Sequence, residues 1–124
     1  MNIKILKIEI FKFNVEITKP IKILLGNSDG AENLAIKVTT DNGIVGWGES
    51  SPCAEITGDS QDTNYATAQT MARLIKGKDV LAIEERMKEI NSLTFGDPSV
   101  RSAFDMALYD IAAKAAKMPL YQFL

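Results

Sequence analysis

The chain has 124 residues, 46% of them hydrophobic and 24% charged, with a formal net charge of −2 and no histidine. That composition describes one globular domain able to bury about two thirds of its unfolded surface; no apolar run approaches the ~18 residues of a membrane span, and no Lys/Arg stripe offers itself to phosphates. Without histidine the commonest general base and transition-metal ligand are missing, so Ser-His-Asp and Cys-His devices are excluded and no zinc site is expected.

Residues 3–17, rich in Ile, Phe and Val, predict a long strand. Its alternation changes phase: Leu6, Ile8 and Ile10 are apolar at even positions, Phe11, Phe13, Val15 and Ile17 at odd ones. A strand has a side-chain period of two, so the slip near Ile10 and Phe11 implies a bulge or a strand serving two cores in succession. Residues 19–32 carry Pro20, Gly26, Asn27, Ser28, Asp29 and Gly30 and read as a long mobile loop.

Strands are predicted at 33–40 and 44–50, joined by a tight hairpin at Asn42-Gly43. In the second, Gly46 and Gly48 flank Trp47, and glycine inside a strand points to a bulge or a close backbone approach. Pro52 ends ladder pairing, and Thr57-Gly58-Asp59-Ser60 supplies oxygens for a helix N-cap. Cys53 lies between them; it has no partner for an internal disulfide, which suits a reducing cytoplasm.

Three helices follow, at about 60–76, 81–91 and 98–116. The first ends at Gly77, a left-handed cap. The second has an apolar stripe of Ile83, Met87 and Ile90, with Glu84-Glu85-Arg86 read as a solvated face. The third starts at Asp97 as N-cap and Pro98 at the first helical position, and buries Val100, Ala103, Phe104, Ala107, Leu108 and Ile111. Asp105 and Asp110 have Arg101 and Lys114 four residues away and read as structural. Residues 119–124 read as a short apolar turn whose exposed side chains mark an interface or a truncation. The fold class is therefore α+β, a three-stranded antiparallel meander followed by three helices in one domain.

The Gly46-Trp-Gly-Glu-Ser-Ser-Pro52 strand end, Ile56-Thr-Gly-Asp-Ser60, Phe95-Gly-Asp-Pro-Ser99, Ala103-Phe-Asp-Met-Ala-Leu-Tyr-Asp110 and Pro119-Leu-Tyr-Gln-Phe-Leu124 together resemble the N-terminal capping domain of the enolase superfamily. The muconate lactonizing subgroup fits best, and within it the dipeptide epimerases that act on L-Ala-D/L-Glu and similar dipeptides. The resemblance implies a C-terminal (β/α) barrel, absent from these residues, that carries lysine bases and binds Mg²⁺ through carboxylates. There a base removes the proton α to a carboxylate, the metal stabilises the enediolate, and an acid returns the proton. It implies no catalytic residue and no metal ligand in this chain, and no epimerase activity from these 124 residues alone. Partners would be the barrel and a small carboxylate or dipeptide substrate, with no nucleic acid and no membrane; the isolated chain would self-associate through the surface the barrel covers.

In this family two loops, matching residues 20–32 and 50–59, close over the barrel mouth. Lys22, Leu25, Gly26, Asn27, Ile56 and Thr57 are the residues expected at the substrate. Epimerases selective for Ala-Glu can hold the glutamate with an arginine at the position of Gly26, and glycine cannot form that ion pair unless Lys22 replaces it. The resemblance also admits a muconate or chloromuconate cycloisomerase or an o-succinylbenzoate synthase. A free-standing binding or self-associating module is the alternative of another class.

Overall fold

The computed structural model describes residues 2–23, 26–94 and 96–124, and the side chains of residues 17–29 fall outside that description. Three strands, β1 (Ile5–Ile23), β2 (Gly26–Thr40) and β3 (Val45–Ser50), pair antiparallel in the order β1-β2-β3. Helices α1 (Gln61–Ile75), α2 (Ile83–Leu93), α3 (Pro98–Ala115) and the single turn α4 (Leu120–Phe123) follow. This is the α+β meander and helical layer expected from the sequence, with the terminal apolar turn helical.

The β2–β3 hairpin closes at Asn42-Gly43. Thr40 N–H donates to Ile44 O at 2.9 Å, and Gly43 adopts φ +88°, a conformation that L side chains rarely take. Gly77 likewise ends α1 at φ +82°.

Residues 19–32 depart from the sequence expectation: apart from Leu24 and Leu25, which lie outside the described residues, their backbone continues β1 and β2. Between Glu16↔Gly30 and Ile21↔Ser28 the register shifts, with β1 taking in more residues than β2. An irregularity of that kind accommodates Pro20, which has no N–H for the ladder. Backbone pairing has overridden a composition that reads as loop. No shift occurs at Ile10 and Phe11, which pair in register with Ile36 and Ala35. The bulge sits earlier, between Ile5 and Lys7, and Leu6 is exposed there. The phase change is thus a change of face: Ile8 and Ile10 pack on the helical core, whereas Phe11 lies beside Trp47 on the other side of the sheet, centroids 6.3 Å apart.

The core lies between sheet and helices. Leu34, Ile36 and Val38 of β2 meet Met71 and Ile75 of α1, Ile90 of α2, and Val100, Phe104, Leu108 and Ile111 of α3, all buried. Each such side chain contributes about 1.5–3 kcal/mol through burial. The glycines around Trp47 are explained by α3. A Cβ on Gly46 would stand 2.4 Å from Ala107 O, and one on Gly48 only 1.8 Å from Ala103 O, so β3 lies flat on the helix. Asp110 accepts from Trp47 N–H at 2.9 Å, and Lys114 donates to Val45 O at 2.7 Å and to Asp110 at 3.1 Å. Asp110 pairs with Lys114 four residues on, as the sequence suggested.

Two charged residues differ from expectation. Arg86 is not on a solvated face: it is 8% exposed, because its position falls on the same stripe as Ile83 and Ile90. It donates to Glu89 and, at 2.9 Å, to Asp79 O. Arg101 directs its guanidinium to Gly96 O at 3.0 Å and Asn91 Oδ1 at 3.3 Å, while burial pushes the Asp105 carboxyl above the usual carboxylate range. A raised folded pKa means that ionising Asp105 destabilises the fold. That penalty is absent below the unfolded carboxylate pKa and fully present once pH exceeds the folded one. Asp105→Asn is therefore expected to raise Tm at pH 7 and to leave it unchanged near pH 3, measured by calorimetry at both values.

Candidate functional site

Residues 51–60, between β3 and α1, form a folded turn. Ile56 and Thr57 N–H both donate to Cys53 O, at 3.0 and 2.7 Å, and Cys53 N–H donates to Thr57 Oγ1 at 3.0 Å. Gly58, at φ +76°, then reverses the chain into Ser60, which caps α1 in a reciprocal box with Thr63. The N-cap oxygen read from the sequence is thus that of Ser60.

This turn faces the extended part of the β1–β2 hairpin across a cavity of about 640 Å3. Asn14, Val15 and Glu16 of β1, Gly30, Ala31 and Glu32 of β2, and Pro52 to Glu55 with Asp59, Ser60 and Gln61 line it. Gln61 Nε2 ties its floor, donating to Asn14 Oδ1 and to Asn33 O, both at 2.9 Å. Glu16, Glu32 and Glu55 are exposed at its walls. Cys53 Sγ lies 3.5 Å from Glu55 Oε2, a weak contact consistent with a loop residue.

Behind the cavity the strand end is held by buried polar groups. Asn64, fully buried, donates to Ser50 Oγ at 2.7 Å, and Asn33 donates to Glu49 at 2.7 Å. Sequence reading missed Gln61, Asn14 and Asn64. Only Asn64 left a trace, as a polar residue on the buried stripe of α1.

The six residues expected at the substrate are placed unequally. Ile56 projects, 68% exposed. Thr57 does not present its hydroxyl, which lies within donating reach of Cys53 O and the Asp59 carboxylate. Leu25 lies outside the described residues; Lys22 and Asn27 pair across the hairpin, as do Ile23 and Gly26, but their side chains lie outside the description.

Among the described residues no group of three or more His, Cys, Asp or Glu could hold a metal ion. The cavity carboxylates do not fit one, since Asp59 is committed to Thr57 and Ser99 and the glutamates are dispersed over its walls. Among the described residues no helix is long and apolar enough to cross a membrane.

Residues 6–124 match the family described as mandelate racemase / muconate lactonizing enzyme, N-terminal domain. A D-Ala-D/L-Ala epimerase of Cytophaga hutchinsonii is 37% identical over 97% of this chain and 33% of its own length. An L-Ala-D/L-Glu epimerase of Bacillus subtilis is 38% identical over 98% of this chain and 33% of its own. The crystal structure of a dipeptide epimerase from Cytophaga hutchinsonii, complexed with Mg and the dipeptide D-Ala-L-Val, superposes with a TM-score of 0.94 at 36% identity, covering 97% of this chain and 33% of that one. The chain spans about a third of the length of the curated relatives it matches.

Proposed function

Because this chain belongs to the mandelate racemase / muconate lactonizing enzyme N-terminal domain family of the enolase superfamily, we propose that it is the capping domain of a Mg²⁺-dependent dipeptide epimerase. In this reading the bases and metal ligands come from a (β/α) barrel, and these 124 residues supply substrate selection and exclusion of water. The observation that carries it is the cavity between the β1–β2 hairpin and the 51–60 turn, a turn that leaves Ile56 exposed. Covering a site with such elements strengthens the electrostatics inside it and orients the substrate.

The apolar side chains of Met118, Leu120, Tyr121 and Leu124, all exposed, support a further domain packing here. In the isolated chain the same surface would drive self-association. A cytoplasmic location accords with the single free cysteine.

For substrate, the cavity walls favour dipeptides whose second side chain is neutral or cationic. Glu16, Glu32 and Glu55 would repel an anionic side chain, and Gly26 provides no cation to offset them. The test is a dipeptide panel on the full-length protein with Mg²⁺, comparing Ala-Ala, Ala-Val, Ala-Glu and Lys-Arg. Ala-Glu is expected to have a kcat/KM about tenfold below the best neutral dipeptide, equivalent to about 1.4 kcal/mol. A strong preference for Ala-Glu that survives Lys22→Ala would overturn the charge argument, and turnover of no dipeptide would overturn the epimerase reading.

A further inference from the structure

Asp59 is a buried carboxylate, 5% exposed, whose bonds join the 51–60 turn to a helix forty residues away in sequence. Its Oδ1 meets the Thr57 hydroxyl and, at 3.4 Å, the Ser99 hydroxyl; its Oδ2 accepts from Ser99 N–H at 3.3 Å. Ser99 is in the first turn of α3, where N–H groups have no partner within the helix. The residue at the N-cap position, Asp97, does not serve them. It sits at φ 51°, makes no capping bond, and takes a 2.7 Å hydrogen bond from Thr67 of α1. The end of α3 is therefore capped from another segment, by the residue that also terminates the turn carrying Ile56.

We infer that Asp59 is a positioning residue for substrate: by capping α3 and holding Thr57, it fixes the turn that carries the exposed Ile56. The inference rests on the epimerase reading, because the contact it positions is with the dipeptide. Thr57 belongs to the same device. Its hydroxyl, held between Cys53 and Asp59, serves the geometry of the turn and makes no contact with the dipeptide. A turn fixed in advance loses less conformational entropy when substrate binds, so releasing it should weaken substrate binding and leave the chemical step alone.

The experiment is a double-mutant cycle on the full-length protein, assayed with the best dipeptide of the panel. Asp59→Ala and Ile56→Ala are each expected to raise KM about tenfold with kcat within about twofold. Since the one acts through the other, the double variant should raise KM about tenfold as well, not a hundredfold. Asp59→Asn, which retains an acceptor for Ser99 N–H, should recover part of the loss and covers the case in which the alanine variant does not fold. In parallel, hydrogen exchange without substrate should show the amides of Ile56, Thr57 and Ser99 exchanging at least about tenfold faster in Asp59→Ala, with core amides of β2 unchanged. Additive KM effects, a loss confined to kcat, or unchanged exchange would overturn the inference. A wild-type protein inactive on every dipeptide, with faster exchange in Asp59→Ala, would instead sink the epimerase reading and leave the clamp standing.

Discussion

Gly48→Ala is expected to lower stability by about 3 kcal/mol, the upper range for overpacking a close-packed interior. The reason is the 1.8 Å separation between the added Cβ and the backbone oxygen of Ala103. No rotamer change relieves a clash with backbone, so β3 must move off α3, loosening the contact of Leu34, Ile36 and Val38 with Phe104 and Leu108. Gly43→Ala is the control. Its φ of +88° makes alanine strained, but nothing lies within 4 Å of the new Cβ, and about 1 kcal/mol is expected. Urea denaturation of both variants distinguishes packing from backbone strain. Equal losses would show that the contact between β3 and α3 is looser than these distances imply.

Arg86→Ala should cost about 3 kcal/mol, because it removes the buried cation of a charge network and leaves Glu89 to the more exposed Lys78. Arg86 reaches Glu89 Oε1 at 2.6 Å and Asp79 O at 2.9 Å, and Lys78 also donates to Glu89. These bonds fasten α2 to residues 78–80, which in turn bond to the start of β1 through Val80 N–H to Ile3 O at 2.8 Å and Ile5 N–H to Lys78 O at 3.0 Å. Burial opposes ionisation of Glu89, yet the hydrogen bonds from Lys78 and Arg86 outweigh it and hold the carboxyl below its usual range. With a depressed folded pKa, the stabilisation is present above the unfolded carboxylate pKa of about 4.3 and lost as pH falls through the folded value. Wild-type stability should therefore fall on acidification by an increment that Glu89→Gln lacks. Replacing both partners, Arg86→Met with Glu89→Leu, should restore most of the loss; denaturation midpoints from pH 3 to 7 measure all three.

The parts legible in the sequence were those set by neighbours along the chain. Asn42-Gly43 announced its hairpin, Gly77 its left-handed cap, and the stripe from Val100 to Ile111 its buried face, because turn chemistry and helical period are local. Gly46 and Gly48 announced a close approach without saying what approaches, since Ala103 and Ala107 lie more than fifty residues on. Arg86 misled for a different reason: a run of three charges looks solvated, and only the helical phase set by Ile83 and Ile90 turns one inward. The pairing of residues 21–23 with 26–28 was hidden because ladder bonds belong to the backbone, which composition does not report. At the site, Ile56 was named only through the family resemblance, and the partner of Asp59 could not be read at all, as a cap supplied by a distant segment leaves no spacing to read.

The sheet has two outer edges, and one of them is already spoken for. With Asp110 on Trp47 N–H and Lys114 on Val45 O, two backbone groups of β3 are already taken, which blunts it as a template for a foreign strand. Growth of this sheet by strand addition, whether productive or amyloid-like, is thereby disfavoured along β3 and falls to the other outer edge, that of β1.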